Sequence, residues 1–191
     1  MTGGSSIVIC WDRRSDDLVI GTFVPGQIQF LREQLCGLGD LLDWRMRQYS
    51  TEYPLGDQLG MPLPQEPPDD DRLRAIIRYH WNDTEPEWAV LWWEPNLFGD
   101  LRGAIERVLA TLPERGGVVQ LDDADQAHAW AWALAALRIA LAVTARLPEA
   151  LHGLTPDDTD DDFERSVFRT ICWLQHVVDT LYEIVDQVPA R

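Results

Sequence analysis

The sequence predicts a mainly helical α+β fold: a bundle of five helices with a small N-terminal antiparallel sheet of two or three strands. Three observations lead there. Long segments place apolar residues at steps of three and four, the repeat of a helix with one buried face. Two β-branched runs near the N-terminus flank a polar stretch, the pattern of a hairpin. A third such run, Val118 to Leu121, follows a glycine pair in the second half.

Taken in order, "IVICW" at 7–11 and "LVIGTF" at 18–23 form the hairpin, joined by "DRRSDD". Val24 and Pro25 then lead into the first helix, where a proline suits the opening turn. Its stripe is Ile28, Leu31, Leu35, Leu38, Leu42, Met46 and Tyr49. The stretch from Thr51 to Asp71 is rich in Pro, Gly and Asp and reads as a surface connection. Arg72 to Trp81 follows as a short helix, although "RAIIRYHW" and "EWAVLWWEP" around "NDTEP" would equally suit a second hairpin.

From Asn96 the helical repeat returns in Leu97, Leu101, Ile105, Val108 or Leu109 and Leu112, and Pro113 ends it. Val118 to Leu121 is a strand to be added to the hairpin. Asp122 and Asp123 cap a long helix reaching about Leu147. A last helix carries Phe163, Val167, Ile171, Leu174, Val178, Leu181, Val185 and Val188. The organisation expected is one domain over 1–191. It has the hairpin and first helix in 1–50, an irregular Pro/Gly/Trp-rich connection in 51–95 and a helical core in 96–191.

With 46% apolar and 9% aromatic residues, 191 residues suffice for one sizeable core, which also accounts for the nine tryptophans. All basic residues are arginine, and 32 acids against 16 bases give a net charge of −16. That field disfavours direct binding to nucleic acid or an anionic membrane and favours a basic protein partner. The segment "AWAWALAALRIALAVTARL" at 129–147 imitates a membrane span, but Arg138 at its middle makes a buried core helix the better reading. The start "MTGGSSIVIC" lacks the charged and apolar regions of a secretory signal, and three scattered cysteines do not make a disulfide framework. A cytoplasmic protein with thiols reduced at rest is expected.

Few residues carry chemistry. The acid run Asp157, Asp158, Asp160, Asp161 and Asp162 lacks the glycine and glutamate of a calcium loop and reads as a solvated helix start. His80, His128, His152 and His176 show no metal-ligand spacing, and no nucleophile elbow, phosphate loop or dinucleotide fingerprint occurs. No enzyme activity, metal or cofactor is expected. Arg72, Arg74 and Arg78 recur at helical spacing and, with Arg138, are the candidates for contacting a partner. The alternative for the first three is an exposed face paired with neighbouring acids.

The first helix contains "QLCGLGDLL", with Cys36 between its core stripe and its polar face and Gly37 and Gly39 beside it. The glycines narrow the helix there, so another element can approach. If the helix folds back along the hairpin, Cys10 lies roughly 20 Å from the turn at ~3.3 Å per strand residue. Cys36 lies about 16 Å from it at 1.5 Å per helical residue. The two thiols then share a height and form the preferred redox pair, with Cys172 in reserve; the alternative is three inert, half-buried thiols.

The segments "GGVVQLDDADQAHAWAWALAALRIALAVTARL" and "VFRTICWLQHVVDTLYEIV" resemble the actinomycete oxidative stress regulator (AosR) family, long described as a domain of unknown function. Val118 to Leu121 match its strand, Asp122 and Asp123 its helix start, and Trp130 or Trp132 its tryptophan. Leu137, Arg138 and Ile139 match its arginine motif, and Leu174 with Gln175 its last helix. The family's Asn-Asp pair is Ala135 and Ala136 here. The resemblance implies a cytoplasmic, non-enzymatic transcription regulator that acts with a sigma factor of RNA polymerase and responds to oxidation through a thiol-disulfide change. The leading expectation is therefore a redox-responsive regulator working through protein contacts. The alternative is a non-catalytic helical interaction module or adaptor with no redox role, and a homodimer is compatible with either.

Overall fold

The computed structural model describes residues 11–13, 18–50, 62–80, 87–147 and 161–185. Ile7 to Cys10 of the expected first strand, "NDTEP" at 82–86, the acids at 157–160, His152 and Val188 lie outside these residues. In chain order the elements are β1 (Asp12–Arg13), β2 (Val19–Phe23), α1 (Pro25–Met46), α2 (Asp71–His80), α3 (Glu87–Thr111), β3 (Gly117–Leu121), α4 (Ala124–Thr144) and α5 (Asp162–Val185). They form a five-helix bundle with a small open antiparallel sheet in the order β1-β2-β3.

In the sheet, Val19 stands opposite Leu121 and Phe23 opposite Gly117. Strand alternation turns Val19, Gly21, Phe23, Val119 and Leu121 inward. Trp11 packs edge-on against both Phe23 and Trp130, with ring centroids 5.6 Å apart in each case. Its indole N–H donates to the Val177 carbonyl across 3.2 Å and so ties the sheet to α5. Gly21 makes this possible, because a Cβ there would lie 2.6 Å from the Trp11 ring.

Pro25 opens α1, and the Val24 N–H ahead of it is satisfied by Gln27 Oε1 at 2.9 Å. The expected stripe is buried from Ile28 to Leu42. This face packs mainly on α3 and α4. Gly39 leaves room for the Arg102 side chain, 3.6 Å from where its Cβ would stand, and Arg102 reaches Asp43 at 3.0 Å.

Both segments that equally suited a hairpin are helical: 71–80 forms α2, and α3 starts at Glu87 and runs through Pro95. Proline inside a helix loses a hydrogen bond and costs about 3 kcal/mol, so tertiary contacts must offset it. The residue before it supplies one. Glu94 is fully buried and accepts from Arg45 Nε at 2.6 Å and from the Tyr49 hydroxyl at 3.0 Å. Arg45 also donates to the Glu66 carbonyl, fastening the connection before α2. Burial and the Glu94 charge push the Tyr49 phenol far above its ordinary range, so it stays a donor.

Helix α4 lies at the centre, against α1, α2, α3, α5 and β3. Its alanines, from Ala127 to Ala142, favour the helix and let the surrounding helices approach closely. It is long and apolar enough to cross a membrane, but 72% of its apolar window is buried inside the protein. Asp123 caps its start, accepting from the Gln126 N–H at 2.7 Å, and Asp161 does the same for α5 through Glu164 N–H at 3.0 Å.

Candidate interaction surface

Two of the three redox candidates fall within the described residues. Cys36 and Cys172 are free and exposed, and Cys10 lies outside the described residues. Partial burial raises the Cys172 thiol above its ordinary pKa, which disfavours the reactive thiolate. Arg32, a turn before Cys36, is spent on the Leu112 and Pro113 carbonyls at 3.2 and 3.1 Å. Helix α1 puts its buried face mainly on α3 and α4. A Cβ added at Gly37 would meet nothing within 4 Å among the described residues. Among the described residues no disulfide and no group able to hold a metal occurs. The thiol-disulfide switch is thus corrected in favour of a helical module without one.

The candidate arginines separate as well. Arg72 grips Asp70 with Nε at 3.0 Å and Nη2 at 2.6 Å, holding that carboxyl below its ordinary pKa, while Asp70 caps Arg72 N–H at 2.9 Å. Arg74 pairs with Asp71 and donates to the Pro68 and Asp69 carbonyls at 2.9 and 2.8 Å. Both therefore fix the start of α2. Arg78 is exposed on the same helix. Arg138 is only 7% exposed on α4, and its Nε has no hydrogen-bond partner among the described residues. Orphaning a buried donor of this kind costs about 1–3 kcal/mol.

What the fold does bring together is a cleft of about 660 Å³ between the end of α2, the middle of α3, the first half of α4 and the end of α5. Its lining includes His80, Gly99, Asp100, Gly103, Arg107, Asp125, His128, Trp132 and Tyr182. His80 accepts from the Trp132 indole N–H at 3.1 Å and packs against the rings of Trp93 and Trp132. Burial lowers its pKa, so it is neutral at pH 7. His128 donates from Nδ1 to the Ala124 carbonyl across 2.7 Å. Tyr182, 39% exposed, lines the cleft, and Tyr79, 57% exposed, stands against His80.

Sequence reading treated His80 and His128 as unrelated and did not single out Gly99 or Gly103. The signal available was the i, i+4 spacing of the two glycines on the predicted third helix.

A helical bundle with a solvent-open, aromatic-edged cleft is the class of protein these features define. The chain matches the family described as Domain of unknown function (DUF2017) over residues 8–185, and it belongs to that family. No curated protein and no solved structure matches it.

Proposed function

We propose that this chain is a non-catalytic interaction module that acts in the cytoplasm by docking a protein partner at the cleft between α2, α3, α4 and α5. The observation that carries this reading is the exposed Tyr182 in the lining of a cleft that also holds Gly99 and Gly103, with the exposed Tyr79 packed against its His80. Tyrosine combines large contact area with little entropy to lose and is enriched among residues that dominate interfaces. The net charge of −16 supports a basic partner, attracted over a distance before contact. The AosR resemblance supports a sigma factor or RNA polymerase as the first partner to assay, and self-association as the control.

The test is binding of the purified chain to the sigma factors and RNA polymerase of its source organism. Tyr79→Ala/Tyr182→Ala should weaken binding by at least about tenfold, or ~1.4 kcal/mol. Trp44→Ala, an exposed aromatic on α1, should leave it unchanged. Equal loss in both variants would overturn the cleft as the docking surface, and absence of any binding would remove this partner class.

A further inference from the structure

Glycine inside a helix costs about 1 kcal/mol relative to alanine, so each one calls for a compensating use of the space it leaves. For helical Gly39 that use lies within the molecule, as it does for Gly21 in β2 and Gly116 ahead of β3. A Cβ would meet Trp11 at 2.6 Å from Gly21, Pro25 N at 2.5 Å from Gly116 and Arg102 at 3.6 Å from Gly39. At Gly99 and Gly103 an added Cβ meets nothing within 4 Å. These two stand one turn apart on α3 and both line the cleft. Internal packing does not employ the space they leave, and it lies open to an approaching chain.

The walls specify the visitor. Asp100 follows Gly99 on α3, and Asp125, in the first turn of α4, lines the same cleft. Arg107 lines it too, so two carboxylates stand with one guanidinium in a molecule whose net charge is −16. The rings of Trp132 and Tyr182 complete the lining, and the His80 Nε2 lone pair is already taken by Trp132. Carboxylates beside aromatic rings suit a planar guanidinium, which can accept two-pronged pairing and stack at the same time.

We infer that the cleft over Gly99 and Gly103 seats an arginine side chain of the partner between Asp100 and Asp125, against Trp132 and Tyr182. This rests on the interaction reading above and assigns that surface its ligand chemistry. The glycines admit the partner's backbone near α3, and the two aspartates fix the guanidinium.

The experiment is an NMR titration of the full chain with N-acetyl-arginine methylamide at fixed ionic strength, following the Trp132 indole N–H, identified with Trp132→Phe. The lysine and glutamate analogues serve as comparison probes. A saturable shift with the arginine probe is expected. It should weaken at least about tenfold in Gly103→Leu and in Asp100→Asn/Asp125→Asn, but not in Gly37→Leu. If Gly103→Leu loses its folded spectrum, the aspartate pair decides. No saturable shift at Trp132, or equal binding of either comparison probe, would overturn the inference. Partner binding that survives Gly103→Leu but falls in the tyrosine variant would also sink it while leaving the interaction reading in place. Loss of all partner binding with a saturable arginine site would do the reverse.

Discussion

The Trp132 indole N–H donates to His80 Nε2 across 3.1 Å, joining the last residue of α2 to the first half of α4. The bond requires a neutral imidazole with its proton on Nδ1, and burial favours that neutral form. Protonation would remove the acceptor. Because the folded pKa lies below the ordinary 6.5, the unfolded chain takes up the proton first as pH falls. Stability from this site is therefore complete above about pH 6.5 and declines as pH drops through the folded pKa. An imidazole titration should place the His80 midpoint below 6.5, with the Trp132 indole signal moving in step. A midpoint at or above the ordinary value would contradict the geometry.

Alanine should stabilise the cleft glycines and damage the packed ones. Gly99→Ala and Gly103→Ala add a methyl into open space on a helix and should each raise unfolding free energy by about 0.5–1 kcal/mol. Gly21→Ala drives a Cβ into the Trp11 ring and should destabilise by about 1–3 kcal/mol. Urea unfolding of the three variants measures both signs.

The buried ion pair should be costly to halve and cheaper to replace. Glu94→Ala leaves Arg45 desolvated without its carboxylate, a loss of about 3–5 kcal/mol. Arg45→Met/Glu94→Leu should cost less than Glu94→Ala alone, because neither charge is then stranded. A double-mutant cycle with additive losses would show that the pair is not coupled.

The exposed thiols should be silent. Cys36→Ser and Cys172→Ser should each change stability by less than about 0.5 kcal/mol, as surface substitutions do. Peptide mapping after mild peroxide should recover no link between these two residues, and a reversible Cys36–Cys172 bridge would count against the arrangement described here.

Legibility followed periodicity. Ile28, Leu31, Leu35, Leu38 and Leu42 were readable because their spacing and their burial share one cause, a single helix face on the core. Asp123 was readable as a cap, and Asp161 as part of a solvated helix start, because both signals are local. The start of α3 was not, since Trp92, Trp93 and Pro95 individually disfavour a helix and only the distant Arg45 explains why Glu94 is held in one. The cleft was unreadable for the same reason. His80 and Trp132 are far apart in sequence, and Gly103 matters through an emptiness that no local pattern records. Shared height along two elements was the whole basis for pairing Cys10 with Cys36, and Cys10 lies outside the described residues.

The central position of α4 has a consequence for biosynthesis. Leu31, Leu35, Leu73, Ile76 and Leu101 are made before α4 and are fully buried in the finished core of which it is the centre. During translation the nascent N-terminal portion therefore emerges without its axle, and its apolar faces wait until residue 144 clears the ribosome. Polypeptides stalled before that point should be the ones that chaperones hold and proteases cut, and those released after α5 the first to resist both.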